Sequence, residues 1–192
     1  TAHPPTAVAE AVLERVIGEA EEFLSVMFIK RALVAARAVG RIVFTSTGRG
    51  FGTGFLIAPG VLMTNHHVLQ TDFAASRASV QFRYELEIDS RQTTGQYFVL
   101  EPHRLFYANE RLDMAIVAVA PTSEDGVPLS DFGHVPLIGV EGKIRKGQPV
   151  DIVQHPLAGR KQVVFRESVL TALPPDSDHV AHYSGDTQPG SS

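Results

Sequence analysis

The feature that most constrains this fold is a change of hydrophobic period near Val39. Before it, Val12, Val16, Ala20, Leu24 and Met27 recur at three- or four-residue steps, the spacing of one helix face. After it, apolar residues come in short runs broken by glycine, proline and polar clusters, the pattern of antiparallel strands. The spacing therefore predicts a helical segment over 1–38 and an all-β domain over 39–192. Strands are expected near Val39–Phe44, Gly52–Ile57, Val61–Thr64, Ser79–Leu86, Tyr97–Leu100, Met114–Ala120, Val150–Gln154, Gln162–Leu170 and Val180–Tyr183. In the fourth, Val80, Phe82, Tyr84 and Leu86 alternate with Gln81, Arg83 and Glu85, which predicts a half-buried strand.

The helical segment opens after Pro4 and Pro5, with Thr6 as candidate N-cap and Gly18 as a point of weakness. Its acidic residues lie early (Glu10, Glu14, Glu19, Glu21, Glu22) and its basic ones late (Lys30, Arg31, Arg37), an order that complements the helix dipole. The apolar stripe suits packing on the β domain or recruiting a partner protein. Ala120 to Gly133, with Pro121, Asp125-Gly126 and Pro128, reads as a connection between two lobes, about 39–120 and 134–192.

With 192 residues, 44% of them hydrophobic, the chain has material for one globular unit or two small lobes. A net charge of −4 from interspersed residues, with no basic stretch, argues against a nucleic-acid partner. No apolar run reaches the ~20 residues of a membrane span, so no membrane association is expected. The absence of cysteine excludes disulfides and fits the cytoplasm without excluding export. Eight histidines raise the question of a metal, but His66 and His67 would point to opposite faces of a strand. There is no His-Glu-x-x-His, and His103, His134, His155, His179 and His182 lack ligand spacing. No metal is expected. The glycines at 48, 50, 52 and 54 are no phosphate loop, because no helix with a Lys-Ser/Thr pair follows.

Three short motifs carry the chemistry: Thr64-Asn65-His66-His67-Val68, then Leu112-Asp113-Met114-Ala115-Ile116-Val117, then Asp186-Thr187-Gln188-Pro189-Gly190-Ser191-Ser192. A serine hydroxyl is a weak nucleophile at neutral pH and needs a base within reach and a third group to orient that base. Histidine suits the base role because its unperturbed pKa lies near ~6.5. On residue types alone, His66 or His67 and Ser191 or Ser192 qualify.

Preceded by Gly52-Thr53-Gly54-Phe55-Leu56-Ile57, these motifs resemble those of the cysteine-free bacterial trypsin-like serine peptidases. That group includes the glutamyl endopeptidases and the high-temperature-requirement proteases. The resemblance, running from about Val39 to Ser192, implies a mainly β, two-lobed chymotrypsin-like double β-barrel with the site between the lobes. Its Thr-x-x-His pattern selects His67 as general base and leaves His66 structural or exposed. Asp113 becomes the orienting carboxylate and Ser192 the nucleophile, with the N–H groups of Gly190 and Ser192 as oxyanion hole. Asp186 falls where trypsin has the floor of its primary specificity pocket, and Thr187 and His182 are alternative wall residues. Gln154-His155-Pro156 resembles a loop at this point in the family and is expected to form a turn.

A serine endopeptidase acting on protein or peptide, with no cofactor, is thus implied. The family pattern also has Gly after the nucleophile and further strands. The second barrel of residues 1–192 is therefore expected to be incomplete, and this stretch by itself inactive or nearly so. The rival expectation is a non-catalytic protease-fold scaffold that binds a partner through its cleft or its N-terminal helices.

Overall fold

The computed structural model describes residues 26–139, 145–172 and 181–184. It opens with helix α1 (Val26–Arg37), rich in strong helix formers and carrying Arg37 in its last turn, where a cation complements the carbonyl end. Of the expected stripe, Met27 lies in α1; Val12 to Leu24 and Gly18 lie outside the described residues. The chain divides between Leu33 and Val34, and both sheets belong to the second unit.

From Val39 the chain is β, as its period implies: β1 (Val39–Phe44), β2 (Gly50–Ala58), β3 (Val61–Thr64), the short α2 (Asp72–Ser76), β4 (Ala78–Phe82), β5 (Gln96–Val99), β6 (Phe106–Asn109) and β7 (Met114–Ala118). These seven strands form one antiparallel sheet in the order β5-β4-β1-β2-β3-β7-β6. Past β5 and β7 the chain bridges Leu100 to Val119, and the Glu101 N–H donates to the Ala118 carbonyl, so the two sides of the sheet are brought round to each other. Inside lie Ile42, Leu56, Leu62, Val80 and Val117, all buried. Phe82, Phe98 and Phe132 meet there with ring centroids 4.8 to 5.6 Å apart. Each such ring stabilises the fold by ~1.5–3 kcal/mol through burial. β1 approaches β4 so closely that a Cβ on Gly40 would stand 2.6 Å from Val80 and 2.9 Å from Phe82.

β8 (Pro149–Gln154), β9 (Gln162–Ala172) and β10 (His182–Ser184) form a second sheet in the order β10-β9-β8. Its β8–β9 turn docks on the first sheet through polar contacts. The His155 N–H donates to Thr53 Oγ1 at 3.2 Å, the Lys161 N–H to the Tyr84 carbonyl at 2.9 Å, and Arg41 Nη1 to the Ala158 carbonyl at 2.7 Å. Arg41 and Arg160 both lie against the Tyr84 ring, at 3.9 and 4.6 Å from its centroid.

The fourth strand departs from the expectation. Instead of running half-buried from Ser79 to Leu86, β4 stops at Phe82 and is buried on both faces, because Gln81 points into a polar niche. There it accepts from Arg41 Nε at 2.8 Å and donates to Tyr97 Oη at 2.7 Å and to the Thr94 carbonyl at 2.6 Å. Arg83 then turns the chain with φ of 57°, and Leu86 is exposed. β6 and α2 were not anticipated by the sequence pattern.

Candidate active site

β3 and β7 lie side by side, with Thr64 opposite Ala115, although about fifty residues separate them in sequence. That register places the chain after β3 and the chain before β7 at the same end of the sheet. After β3 the backbone turns at once: the Asn65 carbonyl accepts from the N–H groups of Val68 at 3.1 Å and Leu69 at 3.2 Å, and Leu69 is buried. Thr64 is fixed beneath, its hydroxyl donating to the Thr53 carbonyl at 2.7 Å. Before β7, the Leu112 N–H donates to Asn109 Oδ1 at 3.0 Å and the Asp113 N–H to the Glu110 carbonyl at 3.1 Å. Asp113 itself sits at φ of 44°, the left-handed region that Asp and Asn enter more readily than most side chains.

The two turns meet as a pair. Asp113 Oδ2 lies 2.8 Å from His67 Nδ1, and Oδ1 accepts the His67 backbone N–H at 2.9 Å. Asn65 Nδ2 adds a bond to Oδ2 at 3.1 Å and another to the Asp113 carbonyl at 3.3 Å. Partial burial pushes the Asp113 carboxyl up; the hydrogen bonds from the His67 backbone, the imidazole and the Asn65 amide outweigh it and hold it below its ordinary 3.8. An ionised carboxylate only accepts, so His67 carries its proton on Nδ1 and presents Nε2 as an acceptor. Both side chains remain open, 53% and 46% exposed. His66 is half-buried.

A cleft of about 350 Å³ opens beside Asp113, lined by Thr53, Phe55, Met63, Asn65 and, from the second sheet, Val153. A larger hollow of about 520 Å³, between Phe73 of α2 and the Val99–His103 stretch, has neither His67 nor Asp113 in its lining. Of the other sequence candidates, His182 lies exposed at the start of β10, opposite Ala172. Asp186, Thr187, Gly190 and Ser192 lie outside the described residues. Among the described residues, no three His, Asp or Glu side chains gather as a metal site would require. The residue that the sequence reading passed over is Asn65, although it stood in the quoted motif beside His67.

The model of the trypsin-like peptidase domain matches residues 52–192. The chain belongs to the trypsin-like peptidase domain family. It is 38% identical over 191 residues to an uncharacterized protein, y4fB, of Sinorhizobium fredii; the match covers 94% of this chain and 29% of the relative. The chain thus spans under a third of that relative's length. Among solved structures it is similar to Deg5, with a TM-score of 0.54 at 15% identity over 88% of this chain and 80% of the other. It is also similar to an inactive mutant form of Rv3671c from M. tuberculosis, with a TM-score of 0.51 at 18% identity over 91% of this chain and 79% of the other. At such identities the likeness shows the fold, and this member of the family has the mainly β, chymotrypsin-like architecture. A fold of this family implies peptide or protein substrates. Among the described residues no helix is long and apolar enough to cross a membrane.

Proposed function

We propose that this domain is a serine endopeptidase that cleaves peptide bonds through an acyl-enzyme, with His67, Asp113 and Ser192 as its triad. The observation that carries the reading is the double bond between Asp113 and His67: the carboxylate holds both the imidazole Nδ1–H and the backbone N–H of the same residue. That arrangement fixes the ring's tautomer and its plane, which is what a general base needs from its orienting partner.

In the proposed cycle, Ser192 Oγ attacks the scissile carbonyl carbon while its proton passes to His67 Nε2. The developing oxyanion is stabilised by the N–H groups of Gly190 and Ser192. His67 returns the proton to the leaving amine as the C–N bond breaks, and water, activated by the same imidazole, releases the acyl group. Asp113 stays ionised and offsets the imidazolium charge. Asp186, with Thr187 and His182 as alternative walls, selects a basic side chain before the cut.

Peptide-library turnover by the full-length protein and its Ser192→Ala variant tests both levels. Cleavage after Arg or Lys that falls at least ~10³-fold in the variant is expected. Turnover that survives Ser192→Ala would rule out the nucleophile, and cleavage without basic preference would remove Asp186.

A further inference from the structure

We propose that Asn65 is a positioning residue, a clamp that sets the Asp113 carboxylate for His67; this rests on the peptidase reading above. The Asn65 side-chain amide touches two oxygens of one residue, Asp113 Oδ2 at 3.1 Å and the Asp113 carbonyl at 3.3 Å. Both oxygens are acceptors, so only the NH₂ end of the amide can face them, and the orientation follows from the chemistry. One N–H steers the carboxylate about its side-chain torsions. The other grips the peptide of a residue whose φ of 44° lies outside the broad allowed regions. Asn65 can act as a clamp because its own backbone is fixed, its carbonyl holding the N–H groups of Val68 and Leu69.

Among the described residues, the carboxylate has three donors, and two of them belong to His67 itself. Asn65 is therefore the one side chain that can hold Asp113 in place independently of the residue Asp113 must orient. With the carboxylate half exposed, loss of that bond leaves Oδ2 free to turn toward water, and the imidazole loses its guide. The preceding Thr64 and following His66 make no printed contact with Asp113, so the position, and not the turn in general, carries the function.

Two variants of the full-length protein separate clamping from space-filling. Asn65→Ala removes the donors; Asn65→Asp keeps the shape but sets a carboxylate against two acceptors. Turnover is expected to fall ~10-fold in Asn65→Ala with KM little changed, and further in the isosteric Asn65→Asp. In parallel, NMR titration of the Asp113 side-chain carboxyl carbon is expected to show its midpoint moving up in both, since a donor is lost in one and a like charge added in the other. An Asn65→Asp variant with parental turnover would show that Asn65 only fills space and overturn the proposal. An unmoved Asp113 midpoint in both variants would overturn it too, whatever the activity. The titration needs neither substrate nor Ser192, so a shifted midpoint in a protein without peptidase turnover supports the clamp and counts against the peptidase reading alone.

Discussion

Two histidines in this domain make the same hydrogen bond and live opposite lives. His67 gives its Nδ1–H to a carboxylate at the rim, and its side chain is 53% exposed. His155 gives its Nδ1–H to the Gly159 carbonyl at 2.9 Å in the seam between the sheets, is 0% exposed, and has no partner for Nε2 among the described residues. Burial pushes the His155 pKa down to about 4; the Gly159 carbonyl opposes this, and the nearby charges of Lys161 and Arg41 add to it. Lys161 is itself pulled down by burial against the attraction of Glu85, whose carboxylate lies 3.1 Å away. A histidine is thus a proton carrier or a neutral spacer according to its partner and its access to water. The carbonyl partner at 155 fixes a tautomer without holding a charge; the carboxylate partner at 67 does both.

The comparison breaks most severely at Asp113. Asp113→Asn keeps the shape of the pair but can hold His67 in the wrong tautomer, so peptide turnover is expected to fall by ~10⁴-fold, measured against the parent at matched folding. Loss of less than ~10-fold would mean that His67 needs no orienting charge.

The next effect is thermodynamic and belongs to His155. The unfolded chain binds its proton near 6.5 and the folded one only near 4, so between these values the unfolded state holds more protons and acid favours it. The contribution of neutral His155 is complete above 6.5 and lost as pH falls through 4, a change of about 3 kcal/mol. Urea denaturation across that window should show the parent losing this much relative to His155→Gln, and parallel pH profiles would contradict the buried, neutral assignment. Asp113, with its lowered pKa, contributes in a lower window: its bonds are retained above its ordinary value and lost as pH falls through the lower folded one.

The smallest effect sharpens the contrast. His67→Ala, at an exposed and solvent-screened pair, should change folding stability by at most ~1 kcal/mol while abolishing turnover. A much larger loss of stability would make His67 a structural residue like His155.

Much of this was written in the sequence. The switch of period at Val39 marks the start of the β domain, and the Thr64–Val68 and Leu112–Val117 motifs name the two residues that meet. The register of Thr64 with Ala115 is long-range and could come only from the fold. β6 escaped because four residues, Phe106–Asn109, are too few to display a period, as are the five of α2. β4 misled because Gln81 looks like an outward residue, and nothing local shows that Arg41, Thr94 and Tyr97 converge on it. Asn65 was hidden for a related reason. Its role depends on the backbone of Asp113 turning through a positive φ, which brings the carbonyl and the carboxylate within reach of one amide.

The central claim is that the His67–Asp113 pair activates Ser192. The most direct test is the intact mass of the full-length protein before and after a fluorophosphonate, with the adduct located by peptide sequencing and repeated on His67→Ala. The account predicts one adduct, on Ser192, lost in the variant. An adduct on another residue, or none on folded protein, would contradict it.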